Sequence, residues 1–557
     1  MIRSLPFDKI PFTRYGSYFA VSMDRGGNIN LRDLHGGDMS PSCLYKLRFD
    51  MSDNRDVQAQ MSESKLELSL GRAVCRITLG SDNTMHILVE NGILRLEAVN
   101  SRYDSLIPLG PLCWEHQFYS QNIKIMLVGK GGVSAHSNWR VTESKDVSII
   151  LDGRPDAAMC VIKSYKAVPD TAPVPDFAGT ANAAACEYTA WLDGKIFTDE
   201  IERMANYVLW GNFVSAEGCL HYDAMYMNKL AMGNIWSWDN CFGAIAMACT
   251  HPERAFEQFK IIFDWQDPSG ALPDYVNDAF VSYSCVKPPI YGFTAGKLRE
   301  RSDFFRRREI AEFLYSKIAK LTDFWLNNRM DEQLGLPCYF HGNDSGWDNA
   351  SVFHAGVPLC SPDLSAYLIQ QMDTLVELAS ELDMKKESAD WKVRADELFD
   401  AMMGRLYTDG GFVSRLSPDG RVDAEAKSLL NFLPVVIWYR LPDKILDELV
   451  STIESEFEQN YGLSTESMKS KYYKKGGYWL GPVWAPVSYI FIDTLQKAGY
   501  YKMAARLAGK FLDLPSIGGM AENFDPVTGE GYDDNAFAWT ASVYLILKEE
   551  YPDKVPG

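Results

Sequence analysis

Apolar and polar residues alternate with a period of two along residues 1–165, and from about residue 195 the period lengthens to that of a helix. In the first part, KLELSL (65–70), VCRITLG (74–80) and TMHILVENGILRLEAV (84–99) read as strands, and Asn91-Gly92 inside the third run predicts a tight hairpin. IKIMLVG (123–129) and VSIILDG (147–153) extend the pattern, which predicts an antiparallel β-sandwich over residues 1–165. The Pro-, Ala- and Thr-rich stretch AVPDTAPVPDFAGTANAAA (167–185) breaks both periods, so residues 166–194 read as a linker.

Helical patterns then cover 197–210, 239–249, 252–266, 288–300, 303–328, 362–382, 386–405, 423–440, 443–458, 483–498, 500–513 and 535–549. Ser361-Pro362-Asp363 supplies a cap, a proline at the first helical position and an acidic first turn, and Pro442-Asp443 does likewise. Twelve antiparallel helices without intervening strand repeats fit a toroid of six helical hairpins over residues 195–557, and the lack of a 34-residue repeat weighs against a solenoid. The fold class is thus α+β multidomain, a β-sandwich followed by a six-hairpin toroid.

At 557 residues the chain exceeds what one hydrophobic core usually supports, in keeping with this division. Its net charge of −19 excludes nucleic acid and anionic membrane surfaces as partners, because both are polyanions. The start of the chain is broken by Pro6, Asp8, Lys9, Pro11 and Arg14 and offers no apolar signal core. The longest apolar run, LLNFLPVVIWY (429–439), is too short to span a bilayer. The eleven cysteines are scattered, without CxxC spacing, which predicts reduced thiols and a cytoplasmic address. No HExxH-like spacing exists among the eight histidines, so neither a catalytic metal nor a cofactor is expected. The oligomeric state stays open, a homo-oligomer included.

Four segments between the helical patterns have a composition that no core would ask for: NIWSWDNCFG (234–243), GNDSGWDNAS (342–351), GGYWLGPVWAP (476–486) and AENFDPVTGEGYDDNAFAWT (521–540). Each mixes aromatics, glycines and carboxylates or amides. In a helical toroid alternate loops lie at one end, so the four are expected to converge there. Such a surface suits a small carbohydrate, whose C–H faces stack on aromatic rings while a few polar groups hold its hydroxyls. Taken singly, Asp344 and Asp348 fit Asx-turns and Asp239 fits a helix cap. GKGG (129–132) lacks the spacing of a phosphate loop.

In order and content the four segments resemble the catalytic half of glycoside hydrolase family 63 and its relatives, the trehalases of family 37 and the mannosylglycerate hydrolases. GNDSGWDNAS is similar to the family stretch Ser-Gly-Trp/Leu/Met-Asp, GGYWLGPVWAP to Tyr-Trp-Arg-Gly-Pro-Val-Trp, and ENFDPVTGEG to Glu-x-Tyr-Asn/Asp-Pro-x-Thr-Gly-x-Gly. The resemblance spans residues from about 230 to 545 and implies an (α/α)6 barrel. It makes Asp348 the general acid and Glu522 the general base of an inverting glycosidase, with Asp344 second in rank as acid. Asp239 resembles the family's substrate-binding aspartate. Trp236, Trp238, Trp347, Tyr478, Trp479, Trp484 and Trp539 are candidates for the pocket wall. Lys287, in SCVKPPIYG (284–292), reads either as a group that binds a hydroxyl or an anionic aglycone, or as a solvated lysine.

The chain also departs from the family pattern. Asp344 stands where some relatives have Glu, Val352 where an arginine shortly follows the acid, and Leu480 where the third motif often has Arg. These changes touch substrate selection more than acid and base chemistry. The expected activity is an exo-acting α-glucosidase on a disaccharide or short α-glucoside. A trehalase-like or other small-glycoside hydrolase, a glycoside phosphorylase and a non-catalytic carbohydrate-binding protein are the alternatives.

Overall fold

The computed structural model describes residues 4–40, 42–50, 54, 56–169 and 174–552. They form two compact units, one of the chain up to Asn234 with Asn277–Phe280 and Asp534–Ala538, the other of Ile235–Val276, Val281–Asp533 and the chain from Trp539 onward.

The first unit contains two antiparallel sheets, of seven and eight strands. Alternate side chains are buried along their strands, as in Cys75, Ile77 and Leu79 or Ile149 and Leu151, which is the pattern of a sheet with one face in a core. The expected hairpin at Asn91-Gly92 does not form. Thr84–Glu90 pairs with Ala73–Leu79 and Ala158–Tyr165 in the larger sheet, whereas Ile93–Ala98 pairs with Cys43–Phe49 and Ser144–Asp152 in the smaller. The turn instead carries the chain from one sheet to the other. Asn91 takes the left-handed backbone (φ 56°) that its side chain tolerates, but its N–H bonds Gly153 O, and Gly153 N–H returns to Gly92 O.

Residues Phe177–Trp191, inside the stretch expected to be a linker, form a helix. Asp176 caps it by accepting from Gly179 N, and the alanine-rich run that looked like low-complexity sequence has high helix propensity. Glu200–Gly211 follows with Asp199 as its cap.

The second unit is helical. Its main helices are Asp239–Met247, Pro252–Lys260, Tyr291–Arg301, Arg308–Asn328, Pro362–Glu381, Lys385–Leu406, Asp443–Thr452, Ala485–Lys497 and Tyr501–Gly518, with Ala538–Glu550 completing it from Trp539. Nearly all coincide with the periodic segments. The stretch expected as helix 423–440 is a 3-10 helix at Leu429–Ile437, where Pro434 supplies no N–H to an α-helical ladder. Ser361 occupies the expected cap position, but its hydroxyl bonds the Asp363 carboxylate rather than the helix backbone.

Short antiparallel ladders stitch together the loops that precede alternate helices. Ile235–Trp236 pairs with Tyr275–Val276 and that with Val281–Ser282; Leu336–Tyr339 pairs with Leu359–Cys360 and that with Arg415–Leu416; Val483–Trp484 pairs with Asn523–Phe524 and that with Gly531–Tyr532. In the second of these, Cys338 and Cys360 face each other with Cα atoms 4.2 Å apart and are joined as a disulfide, contrary to the expectation of free thiols throughout.

Candidate active site

The loop 342–351 is built around its glycines. Gly342 ends so close to the carbonyl of Asp348 that a Cβ would stand 1.9 Å from it, and Gly346 has a left-handed φ of 74° with its Cα against the indole of Trp238, where a Cβ would meet the ring at 2.7 Å. Ser345 Oγ donates to Gly342 O at 2.7 Å and accepts from Trp347 N at 3.0 Å. These contacts fold GNDSGWDNAS back on itself and press it on the loop that carries Asp239.

The two aspartates of this loop have opposite environments. Asp344 is 2% exposed, and both of its oxygens are engaged: Oδ1 accepts from Val286 N, and Oδ2 accepts from Phe340 N and His341 N and pairs with Arg329 at 3.1 Å. A carboxylate so held is a brace for the loop. Asp348 is half-buried, yet among the described residues only its own backbone N–H bonds its carboxyl. Burial pushes its pKa up, and Asp274 adds to the rise, against the opposing pull of the Lys287 ammonium.

Asp239 opens the helix Asp239–Met247 and is 5% exposed. Burial raises its pKa to about 7 in spite of Lys287, and the charges of Asp348 and Asp274 act in the same upward direction. Lys287 is therefore no solvated lysine. Its Nζ lies 3.2 Å from Asp274 and donates to Asn343 O at 3.1 Å, with the side chain 8% exposed. Burial alone would lower its pKa, but Asp274, Asp348 and Asp239 overcome that and raise it. An ammonium thus sits among three carboxylates.

Glu522 is 5% exposed and immediately precedes the strand Asn523–Phe524, whose ladder pairs Asn523 with Trp484. Its backbone is fixed by Trp539, whose indole N–H donates to Glu522 O at 3.1 Å, and by Thr540 Oγ1, which donates to Ala521 O. Beyond it, Asp525 accepts from Val527 N, Thr528 N and Tyr532 Oη, which shapes the DPVTGEG turn. Tyr478 Oη donates to Glu522 Oε1 at 3.3 Å. Burial and then the charges of Glu522, Asp348 and Asp239 raise the Tyr478 pKa, so its hydroxyl senses all three carboxylates. Tyr478 also has φ 65°, a backbone conformation that a bulky residue adopts only when its surroundings compel it. Those surroundings include Asn349, which donates to Gly477 O and accepts from Trp479 N, and Trp484, whose indole donates to Tyr478 O.

The structure brings Trp238, Trp347, Trp479, Trp484 and Trp539 together. Trp479 stacks on Trp484 with ring centres 3.8 Å apart and on Trp347 at 5.0 Å, while Trp238 and Trp539 pack edge-on at 6.1 Å. Each such pair adds about 1 kcal/mol beyond area burial. The rings bury against one another, each under 5% exposed, and so form one packed aromatic cluster. Trp236 lies outside this cluster, half-buried beside Tyr275.

Four further residues matter here. Asp274, in LPDYV, carries no sequence signal; Arg329 lies at the end of a helix; Asn349 stands beside Asp348. Glu466 is fully buried, accepting from Ser351 Oγ at 2.6 Å and Lys427 N at 3.0 Å, and so ties down the far end of the acid's loop. Asn349 and Ser351 sit inside the quoted motif, and that is the one signal for them.

Comparison with known proteins gives a consistent result. The chain is 22% identical over 391 residues to the mannosylglycerate hydrolase of Thermus thermophilus, covering 56% of this chain and 93% of that protein. It is 23% identical over 398 residues to the mannosylglycerate hydrolase of Rubrobacter radiotolerans, covering 56% of this chain and 89% of that protein. Among solved structures, a bacterial glucoamylase complexed with acarbose shares the fold with a TM-score of 0.68 at 12% identity, over 98% of this chain and 94% of that one. The mannosylglycerate hydrolase of Thermus thermophilus complexed with glucose aligns with a TM-score of 0.53 at 23% identity, over 62% of this chain and 99% of that one. The family described as mannosylglycerate hydrolase MGH1-like glycoside hydrolase domain matches residues 232–540, more than half of the chain and inclusive of all four segments. The protein belongs to that family and is a glycoside hydrolase.

Proposed function

We propose that the protein is an inverting, exo-acting α-glycosidase with its catalytic machinery in a six-hairpin (α/α)6 domain within residues 195–557. Asp348, whose pKa is raised by burial, donates its proton to the glycosidic oxygen as the oxocarbenium-like transition state forms. Glu522 takes a proton from the water that attacks the opposite face of the ring. Asp239 holds sugar hydroxyls, and Tyr478 Oη orients Glu522. Inversion requires about 6.5–9.5 Å between the acid and base carboxyls, enough for that water.

The observation that carries this reading is the contrast around Tyr478: one hydroxyl bonds Glu522 and senses Asp348, whose carboxyl no described side chain claims. An acid with a raised pKa and a tethered second carboxylate on separate loops are what two-carboxylate hydrolysis needs. A purely carbohydrate-binding protein would not need them, and a phosphorylase would not need Glu522.

We take the substrate to be a small α-glycoside, an α-glucoside first. A second reading, hydrolysis of a glycosylglycerate, is favoured by the relatives, which are named for mannosylglycerate. The test is hydrolysis of α-linked glucosides, mannosides and their glycerate conjugates, followed by NMR of the newly released sugar. Initial release of the β-anomer is expected; the α-anomer, or a requirement for phosphate, would reject the mechanism.

A further inference from the structure

A cavity of about 360 Å³ lies in the second unit, lined by Val352 together with residues 410–432 and 452–467. None of the carboxylates, nor Tyr478 or any tryptophan of the site, lines it. Its wall is nevertheless continuous in sequence with the loop of the proposed acid. Val352 follows Asp348 by four residues, which bounds their Cα separation at about 15 Å. Glu466 joins the two regions, since one of its oxygens takes Ser351 of the acid's loop and the other takes the N–H of Lys427 on the cavity wall. The volume is within the range of small-molecule sites.

Its lining has a definite chemistry. Phe412, Phe432 and Phe457 with Val352 make one side apolar and aromatic. Asn431, Ser414, Ser428 and Ser467 supply buried polar groups: Ser414 Oγ donates to Asn431 Oδ1 at 2.7 Å, which leaves the Asn431 amide N–H groups without a protein acceptor among the described residues. The charged side chains are Asp423, Glu456 and the exposed Lys427. Asp423 accepts from Tyr472 Oη, and Glu456 from Ser467 Oγ and Lys469 Nζ. No arginine lines the cavity, and Val352 stands where the family pattern led us to expect one.

We propose that this cavity receives the leaving group of the substrate, and that the leaving group is a neutral one with an apolar face, such as a second sugar ring, rather than a carboxylate such as glycerate. The assignment rests on the proposed glycosidase reading. Aromatic rings meet the C–H face of a sugar, and the unclaimed amide of Asn431 meets its hydroxyls. A carboxylate would face Asp423, Glu456 with the Lys469 it already binds, and the exposed Lys427, and burying it without an unengaged cationic partner is costly. Lys287 offers no substitute, because its charge is already shared among Asp274, Asp239 and Asp348.

The test compares three substrates of the same glycone, gluco and manno, on the full chain: an α-disaccharide, the glycerate conjugate and the α-glycosyl fluoride, which lacks an aglycone. The wild type is expected to favour the disaccharide over the glycerate conjugate by about tenfold or more in kcat/KM. Val352→Arg, which grows into the cavity, and Ala424→Trp, which fills it from an exposed position, should each lower the ratio of disaccharide to fluoride kcat/KM by about tenfold. Val352→Arg should also narrow the preference against glycerate. A wild type that prefers the glycerate conjugate, or a disaccharide-to-fluoride ratio that neither variant moves, overturns the cavity assignment while the acid–base reading stands. Failure of the wild type to cleave even the fluoride removes the proposed α-glycosidase reading for these glycones, and the cavity assignment falls with it.

Discussion

Asp344 and Asp348 stand four residues apart in one loop and have nothing else in common. The first is saturated, with three backbone N–H groups and a guanidinium on two oxygens; the second, half-buried, is bonded among the described residues only by its own N–H. Saturation is how a fold uses a carboxylate to hold shape, because a bonded and paired group has no lone pair left for chemistry. Burial without partners raises the pKa and leaves the proton available, which is what a general acid requires. The difference teaches that role is set by the neighbours an aspartate keeps, not by the motif it belongs to.

The largest expected effect breaks the comparison at the functional end. Asp348→Asn should lower kcat by about three orders of magnitude with thermal stability unchanged, and Glu522→Gln should do the same. Asp344→Asn should act the other way. It leaves Arg329 facing a neutral amide in a mostly buried site and should cost about 3 kcal/mol of stability, seen as a lower Tm, with a much smaller loss of turnover in the protein that remains folded. If Asp344→Asn abolished turnover at normal stability and Asp348→Asn did not, the two assignments would have to be exchanged.

Next in size is the hinge between the two aspartates. Gly346→Ala forces a side chain into a left-handed backbone and against Trp238, so the loop must shift by several tenths of an ångström or more. A misplaced acid costs rate steeply, and a fall in kcat of about tenfold to a hundredfold is expected. Unaltered turnover would show that Asp348 does not need this loop position.

How much of this was legible in the sequence follows from the same contrast. Helix positions came from periodicity, which is a local property, and the helices of the second unit lie where the pattern put them. Pairing partners are not local. Asn91-Gly92 announces a turn, but whether the strands on either side pair is decided by Gly153 and by four other strands. The helix Phe177–Trp191 was hidden because alanine-rich sequence serves linkers and helices alike, and Asp176 alone distinguishes them. At the site, the resemblance pointed to Asp348 and Glu522, yet nothing in DSGWD separates its two aspartates until Arg329 is placed beside one of them. Asp274 carried no motif at all and became visible only as the partner of Lys287. Cys338 and Cys360 gave no spacing signal, since a cross-strand pair depends on register.

A smaller effect sharpens the comparison through charge. Lys287 pulls the pKa of Asp348 down while burial pushes it up. Lys287→Met removes the opposing cation and leaves the upward pull of Asp274 in place, so the Asp348 pKa rises further. A general acid works only while protonated, and activity is lost as pH rises through its pKa; the alkaline limb of the kcat/KM profile should therefore move to higher pH. A shift to lower pH, or no shift, would mean that another group sets that limb.

The smallest effect concerns the other carboxylate. Tyr478→Phe removes a single long hydrogen bond, 3.3 Å from Tyr478 Oη to Glu522 Oε1, and keeps the ring that packs at 4.9 Å on Trp484. Loss of one such bond is worth about 1 kcal/mol, so turnover should fall only about fivefold. Its direction on pH is more telling than its size. The hydroxyl donates to Glu522 and so favours the ionised form; without it the carboxylate protonates more readily, and a base works only while ionised. The acid limb of the kcat/KM profile should accordingly move to higher pH, with the alkaline limb in place. A change confined to the alkaline limb would detach Tyr478 from the base and tie it to Asp348.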